Sequence, residues 1–238
     1  MTRPADRVFV AIDRMDLAAA HADVAKLKAL AGGIKLGLEF FVANGPQGVR
    51  AVAGPVPLFL DLKLHDIPNT VAGGVRSACQ VSPRFLTIHA SGGEAMMRAA
   101  ADAARAAGPA RPLLLGITVL TSLDGGDLDA VGQRGPVADQ AKRLAALAQK
   151  SGLDGVVCSA HEVAALRKLC GPDFKLMVPG IRPNWAASQD QKRVVTPGEA
   201  IARGADYLVI GRPITQSDDP AAALQRITDE IGGTVAAG

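Results

Sequence analysis

Aromatic side chains are scarce, together only 3% of the 238 residues. A surface that stacks bases along a nucleic-acid strand needs several such rings. No Lys/Arg block stands in for them, and the net charge is only +3, so nucleic acid is not an expected partner. Cysteine is scarce as well. Cys79, Cys158 and Cys170 are an odd, widely spaced set without a Cys-x-x-Cys, which points to reduced structural thiols and a cytoplasmic setting. No apolar run of roughly 20 residues occurs and the first residues do not read as a signal peptide, so no membrane partner is expected. The early Gly-x-Gly-x-x-Gly of a dinucleotide fold is missing. His21, His89 and His161 have no spacing that joins them into a metal site, and neither metal nor cofactor is expected.

What is present is an ordinary core, with 48% hydrophobic and 21% charged residues. Apolar strand-like runs occur at 8–13, 33–38, 58–64, 84–90, 112–119, 155–159, 175–178 and 207–210. Between them lie helical patterns at 16–30, 39–53, 70–81, 93–107, 136–151, 161–170, 198–203 and 220–231. Gly45-Pro46 disturbs the second helix, and the residues around Gly125 and Gly126 read as a looser segment. Strand and helix in alternation imply a parallel sheet. The count and length predict a single (β/α)8 TIM barrel over residues 1–238. An open doubly wound sheet is the competing architecture.

The most informative stretch runs from Leu58 to Thr70. Asp61, Lys63 and His65 share one parity, and Leu60, Leu62 and Leu64 the other. In a strand these sets face opposite ways. Charges turned towards a barrel interior are costly unless paired, so they suggest a site. Active sites of such barrels lie at the C-terminal ends of the strands. Asp13, Lys35, Asp61 and Lys63 sit at or near those ends, with Asp66 just beyond. Lysines and aspartates there can alternate as a network, in which a lysine between carboxylates stays protonated and serves as a positioned acid. A carboxylate beside a substrate anion would repel it until the anionic group left as neutral carbon dioxide. A purely structural ion-pair network is the plainer alternative, and His65 reads equally as a wall residue.

A second pole lies after strands seven and eight, at Pro179-Gly180-Ile181-Arg182 and Gly211-Arg212-Pro213. Barrels bind phosphate there through backbone N–H groups, and arginine adds a planar cationic fork. The polar stretch 183–197, with Trp185, Gln189 and Gln191, is long for a barrel connection. It reads as a closing lid or as a surface insertion.

The run Asp61-Leu62-Lys63-Leu64-His65-Asp66-Ile67-Pro68-Asn69-Thr70 resembles the orotidine 5′-phosphate decarboxylase family. The resemblance extends through Ala11-Ile12-Asp13, Ile34-Lys35-Leu36-Gly37, Thr118-Val119-Leu120-Thr121-Ser122, Val178 to Arg182, Asp190-Gln191-Lys192-Arg193 and Ile210 to Ile214. It implies cofactor-free decarboxylation of orotidine 5′-phosphate to UMP and CO₂. It implies that Lys63 protonates pyrimidine C6, with Lys35, Asp61 and Asp66 completing a charged tetrad. It implies ribose contacts from Asp13 and Lys35 and a pyrimidine contact from Thr121. Arg182, Gln191, Gly211 and Arg212 match phosphate and lid contacts, and His65 and Asn69 fall within the substrate-binding run. Asp66, Ile67 and Thr70 match residues that reach a neighbouring subunit's site, so a homodimer is implied. Sugar-phosphate decarboxylases and aldolases on the same barrel use a divalent metal and carry a carboxylate where this chain has Lys35, so they stand as the alternative. A nucleotide-binding protein without turnover is a third reading.

Overall fold

The computed structural model describes residues 3–133, 135–186 and 195–236. Among them, eight strands close a barrel in chain order, each parallel to its neighbours. They are β1 (Val8–Ala11), β2 (Gly33–Gly37), β3 (Leu58–Leu64), β4 (Phe85–His89), β5 (Leu113–Ile117), β6 (Gly155–Val157), β7 (Lys175–Val178) and β8 (Tyr207–Ile210). Closure is made where β1 pairs with both β2 and β8.

Parallel neighbours need crossovers, which here are helices. These are α1 (Leu17–Leu27), α2 (Leu38–Ala53), α3 (Pro68–Cys79), α4 (Gly93–Arg105), α5 (Gly125–Ala130), α6 (Val137–Lys150), α7 (Val163–Cys170), α8 (Pro197–Ala202), α9 (Arg212–Thr215) and α10 (Pro220–Ala236). The (β/α)8 expectation is met, and the open sheet is excluded by the closure.

Side-chain alternation divides the interior in two. Phe9, Ala11, Phe59, Phe85, Leu115, Met177 and Val209, all odd-numbered, form one buried cluster inside the barrel. Even-numbered partners such as Val10, Ile34, Leu60 and Leu86 join the larger core shared with the helices. In α4 the buried face is Met96, Met97, Ala100, Ala101, Ala103 and Ala104, and the four alanines are small enough to let the helix lie close to the sheet.

Several boundaries differ from the sequence expectation. β1 ends at Ala11, so Asp13 stands beyond the strand. The segment around Gly125 is a short helix, because Asp124 accepts from the N–H groups of Gly126 and Asp127 and caps its start. A further short helix, α9, follows Gly211 directly. Gly45 interrupts α2 with φ +60 ahead of Pro46, as the Gly-Pro pair predicts.

Candidate active site

The site is organised by an irregularity in β3. Leu60 pairs with Leu86 of β4, but the next paired residues are Leu64 and Ile88. Asp61, Leu62 and Lys63 therefore stand opposite the single residue Thr87. Such a bulge bends the strand and re-aims side chains. Its turning point is Lys63, which has a left-handed backbone with φ +50, a conformation unfavourable for a residue with a Cβ. The plain alternation expected from Asp61 through His65 is thus broken at Lys63.

The bulge brings two charges together. Lys63 Nζ donates to Asp61 Oδ2 at 2.7 Å, and Asp61 is only 8% exposed. Thr87 Oγ1 donates to the other carboxylate oxygen, Oδ1, at 2.8 Å and accepts from the Lys63 N–H at 2.9 Å. On the neighbouring strand, Lys35 Nζ donates to Asp13 Oδ1 at 3.2 Å. The expected alternating network is therefore resolved into two ion pairs, Lys63 with Asp61 and Lys35 with Asp13. Asp66 lies outside both, exposed, and accepts from the Ile67 N–H at 2.6 Å.

These pairs edge a cavity of about 200 Å³. Lys35, Asp61 and Lys63 supply its polar side; Ile117, Val119, Leu120 and Val157 supply an apolar wall. Thr121 stands at its rim and also borders a wider cleft of about 710 Å³ that reaches Pro179 and Gly180. Arg182 and Arg212 face a third cleft, of about 270 Å³, together with Trp185. The Arg182 N–H donates to the Val195 carbonyl at 3.2 Å, which ties the two ends of the connection after β7. Gly211 joins this cleft to the ion pairs: a Cβ there would lie 3.3 Å from Ala11 Cβ and 3.5 Å from Asp13 Oδ2. A side chain at that position would press on Ala11 and lie in contact with Asp13.

The other expected residues are placed differently. His65 is exposed, with its ring 5.2 Å from that of His89 and tilted by 30°. Burial, then electrostatic interaction with His65 and Lys63, holds His89 below the ordinary histidine range. Ile67, Asn69 and Thr70 are exposed at the start of α3, away from this chain's own cavity. Gln191 lies outside the described residues. Cys158 lines the cavity, but burial pushes its thiol far up, which leaves it a poor nucleophile.

Two features escaped the sequence reading. The apolar wall is made of residues that look like ordinary core at strand ends. Thr87 is neutral and sits inside β4, and only its parity with His89 could have marked it as facing the interior.

The family model for the orotidine 5′-phosphate decarboxylase / HUMPS family matches residues 6–227. The chain is 57% identical over 230 residues to the orotidine 5′-phosphate decarboxylase of Paramagnetospirillum magneticum, covering 94% of this chain and 98% of that protein. It is 56% identical over 232 residues to that of Rhodospirillum rubrum, covering 95% and 94%. The crystal structure of orotidine 5′-phosphate decarboxylase from Lactobacillus acidophilus superposes with a TM-score of 0.83 at 37% identity, covering 94% of this chain and 98% of that one. A charged barrel mouth, an apolar wall and two flanking arginines thus stand in a sequence that matches one family over nearly its whole length, and the chain belongs to the orotidine 5′-phosphate decarboxylase / HUMPS family.

Proposed function

We propose that the protein decarboxylates orotidine 5′-phosphate to UMP and CO₂, with Lys63 as the proton donor. The observation that carries this reading is the 2.7 Å pair of Lys63 and Asp61 at the edge of a cavity with an apolar opposite wall. With the pyrimidine in that cavity, its carboxylate lies beside Asp61. The C6–carboxylate bond breaks, CO₂ leaves as a neutral molecule, and the electron pair stays on C6. A Lys63 N–H bond then breaks as the C6–H bond forms, and solvent reprotonates the amine. Repulsion between Asp61 and the carboxylate is relieved as the charge departs. The Lys63 ammonium stabilises the charge developing on the ring. The apolar wall of Val119, Leu120 and Val157 keeps water from C6 and strengthens these interactions.

Asp13 and Lys35 are assigned to the ribose, Thr121 to the pyrimidine, and Arg182, Gly211 and Arg212 to the phosphate, with Gln191 joining from the connection between them. Binding energy from the phosphate is then spent on chemistry at the far end of the substrate. Asp13 and Asp61, the carboxylates a divalent metal would need at this mouth, each hold a lysine ammonium instead. That favours the orotidylate reading over a metal-dependent sugar-phosphate reaction.

The same proposal includes a homodimer with shared sites. Asp66, Ile67 and Thr70 are exposed and do not line this chain's cavity. Met15, Leu38, Val42 and Ile67, at 60%, 56%, 76% and 67% exposure, give this side of the mouth an apolar character that a second copy would cover. Among the described residues no helix is long and apolar enough to cross a membrane.

Purified protein in EDTA should deplete orotidine 5′-phosphate, followed by its absorbance. Absence of turnover overturns the reading, and turnover that EDTA abolishes favours the metal-dependent alternative. Mixing Asp66→Ala with Lys63→Ala protein should restore part of the activity, because one site of each hybrid dimer is intact. Confirmed hybrids without activity exclude the shared site.

A further inference from the structure

We propose that Thr87 is a positioning residue for the proton-donating pair, acting through Asp61 and Lys63 without touching the substrate. The inference rests on the roles given above to those two residues. Thr87 is fully buried, at 0% exposure, and does not line the cavity. Its hydroxyl has one proton to donate and lone pairs to accept. The proton goes to Asp61 Oδ1 at 2.8 Å, and a lone pair takes the Lys63 N–H at 2.9 Å. Asp61 Oδ2 in turn holds Lys63 Nζ at 2.7 Å. Thr87 therefore grips both ends of the pair: the carboxylate of one residue and the backbone of the other.

The bulge explains why a side chain is needed. In a regular strand, the alternation set by the Ile34 N–H on the Pro57 carbonyl and the Arg84 N–H on the Leu58 carbonyl would point the N–H of residue 63 at β2. With Asp61, Leu62 and Lys63 set opposite the single residue Thr87, the ladder is broken there, and a buried N–H without a partner is costly. The bulge turns the Lys63 N–H towards β4, where the Thr87 hydroxyl supplies its acceptor. The hydroxyl also holds Lys63 in its left-handed conformation, φ +50, which a side-chain-bearing residue keeps only where its surroundings over-determine it. Without the hydroxyl, two outcomes follow. The Lys63 backbone is free to leave that conformation and carry its ammonium away from C6. Asp61 keeps only one of its two fixed contacts and can rotate. Both misplace groups by distances that matter for a proton transfer.

The test compares two variants that separate the hydroxyl from the packing of the side chain. Thr87→Val keeps the shape and removes the hydroxyl; Thr87→Ser keeps the hydroxyl and removes the methyl. Turnover of orotidine 5′-phosphate, UMP affinity and thermal unfolding are measured on the intact protein. The expected result is a fall of about 10- to 100-fold in kcat for the valine variant, the scale of a lost charge-assisted hydrogen bond. KM and UMP affinity should stay within about threefold, because Thr87 is not in the binding surface. The serine variant should keep most of its kcat. Exchange of the C6 hydrogen of UMP with deuterated solvent, the reverse of proton donation, should slow in parallel with kcat.

A valine variant with wild-type kcat overturns the inference. So does a serine variant that falls as far as valine, or a loss confined to KM. If the valine variant is insoluble, Thr87→Ala replaces it, and equal kcat for alanine and serine then overturns the inference. Wild-type protein without turnover would remove the underlying reading and this inference with it. Wild-type turnover that valine leaves unchanged removes this inference alone.

Discussion

Phe59 and Asp61 stand two positions apart on β3, as do Phe85 and Thr87 on β4. In that one pleat the barrel interior changes character. Its lower half packs Phe9, Phe59, Phe85 and Tyr207 edge to face, with Phe85 centred 5.2 Å from Phe9, 6.1 Å from Phe59 and 4.9 Å from Tyr207. Half the rings of an aromatic-poor chain are spent there. Arg84 closes that end, its guanidinium 5.3 Å from the Phe85 ring centre and 3.1 Å from the Tyr207 hydroxyl. Gly33 leaves the space the plug needs, since a Cβ at that position would lie 2.4 Å from the Phe9 ring. The upper half uses the next inward positions for Asp61 and Thr87, beside Lys35 and the left-handed Lys63. One half is relaxed, apolar and saturated with contacts; the other holds strain and charge. Stability and chemistry are thus assigned to different layers of one stack, so each should respond to substitution without the other.

The largest expected effect tests the upper layer. Lys63→Ala should reduce decarboxylation by at least about 10³-fold, since it removes the proton donor proposed above. UMP should still bind measurably, because the residues proposed for the phosphate and ribose lie elsewhere. Steady-state assays paired with calorimetric titration of UMP check both statements. Turnover near that of wild type refutes the role of Lys63. The lower layer should give the inverse pattern. Phe85→Ala empties the centre of the aromatic plug and should cost about 3–5 kcal/mol in urea unfolding. Activity per folded molecule should stay within about threefold of wild type. A Phe85 variant of normal stability but low kcat would show that the layers are coupled.

The barrel and most of this division were legible in the chain itself. Strand and helix alternate cleanly, and closure follows from count and length. Asp61, Lys63 and Lys35 stood out because charge on an inward-facing position is costly, and the cost marks the site. The bulge was not legible. It is set by where β4 pairs with β3, a relation between residues about two dozen positions apart, and local alternation gives no hint of it. That is why Lys63 was expected to continue the parity of Asp61 and why Thr87 was missed. The apolar wall of Val119, Leu120 and Val157 was hidden for another reason, because neutral residues at strand ends have the same composition whether they line a core or a substrate. A role for Asp66, Ile67 and Thr70 in a second copy's site rests on the family resemblance, and one chain alone adds only that they are exposed.

A smaller effect probes the strain in the upper layer directly. At φ +50 a Cβ is unfavourable, whereas glycine accepts the conformation. Lys63→Ala and Lys63→Gly both remove the ammonium and the ion pair with Asp61. They differ only in the Cβ and in the freedom of the unfolded chain. Glycine normally costs stability relative to alanine through that freedom. Here the order should reverse, with the glycine variant more stable by about 1 kcal/mol. Denaturant midpoints for the two inactive variants decide it. An alanine variant at least as stable as the glycine variant would place the strain elsewhere.

The smallest expected effect concerns His89, which packs against His65 at the border of the charged layer. Burial, with the neighbouring His65 and Lys63, lowers its folded pKa below the ordinary value of 6.5. The unfolded chain therefore takes up this proton first as the pH falls. Stability from the group is fully present above about pH 6.5 and is lost as the pH drops through that value towards the lower folded pKa, because the unfolded state binds more protons in that window. Between pH 7 and pH 5 the denaturant midpoint should fall less steeply in His89→Gln than in wild type. The Phe85→Ala variant should keep the wild-type slope even though its midpoint is lower, because its layer gains and loses no proton there. Identical slopes in wild type and His89→Gln would show that His89 protonates as readily in the folded chain as in the unfolded one, and the charged layer would then extend further out along β4 than its contacts with Asp61 and Lys63 indicate.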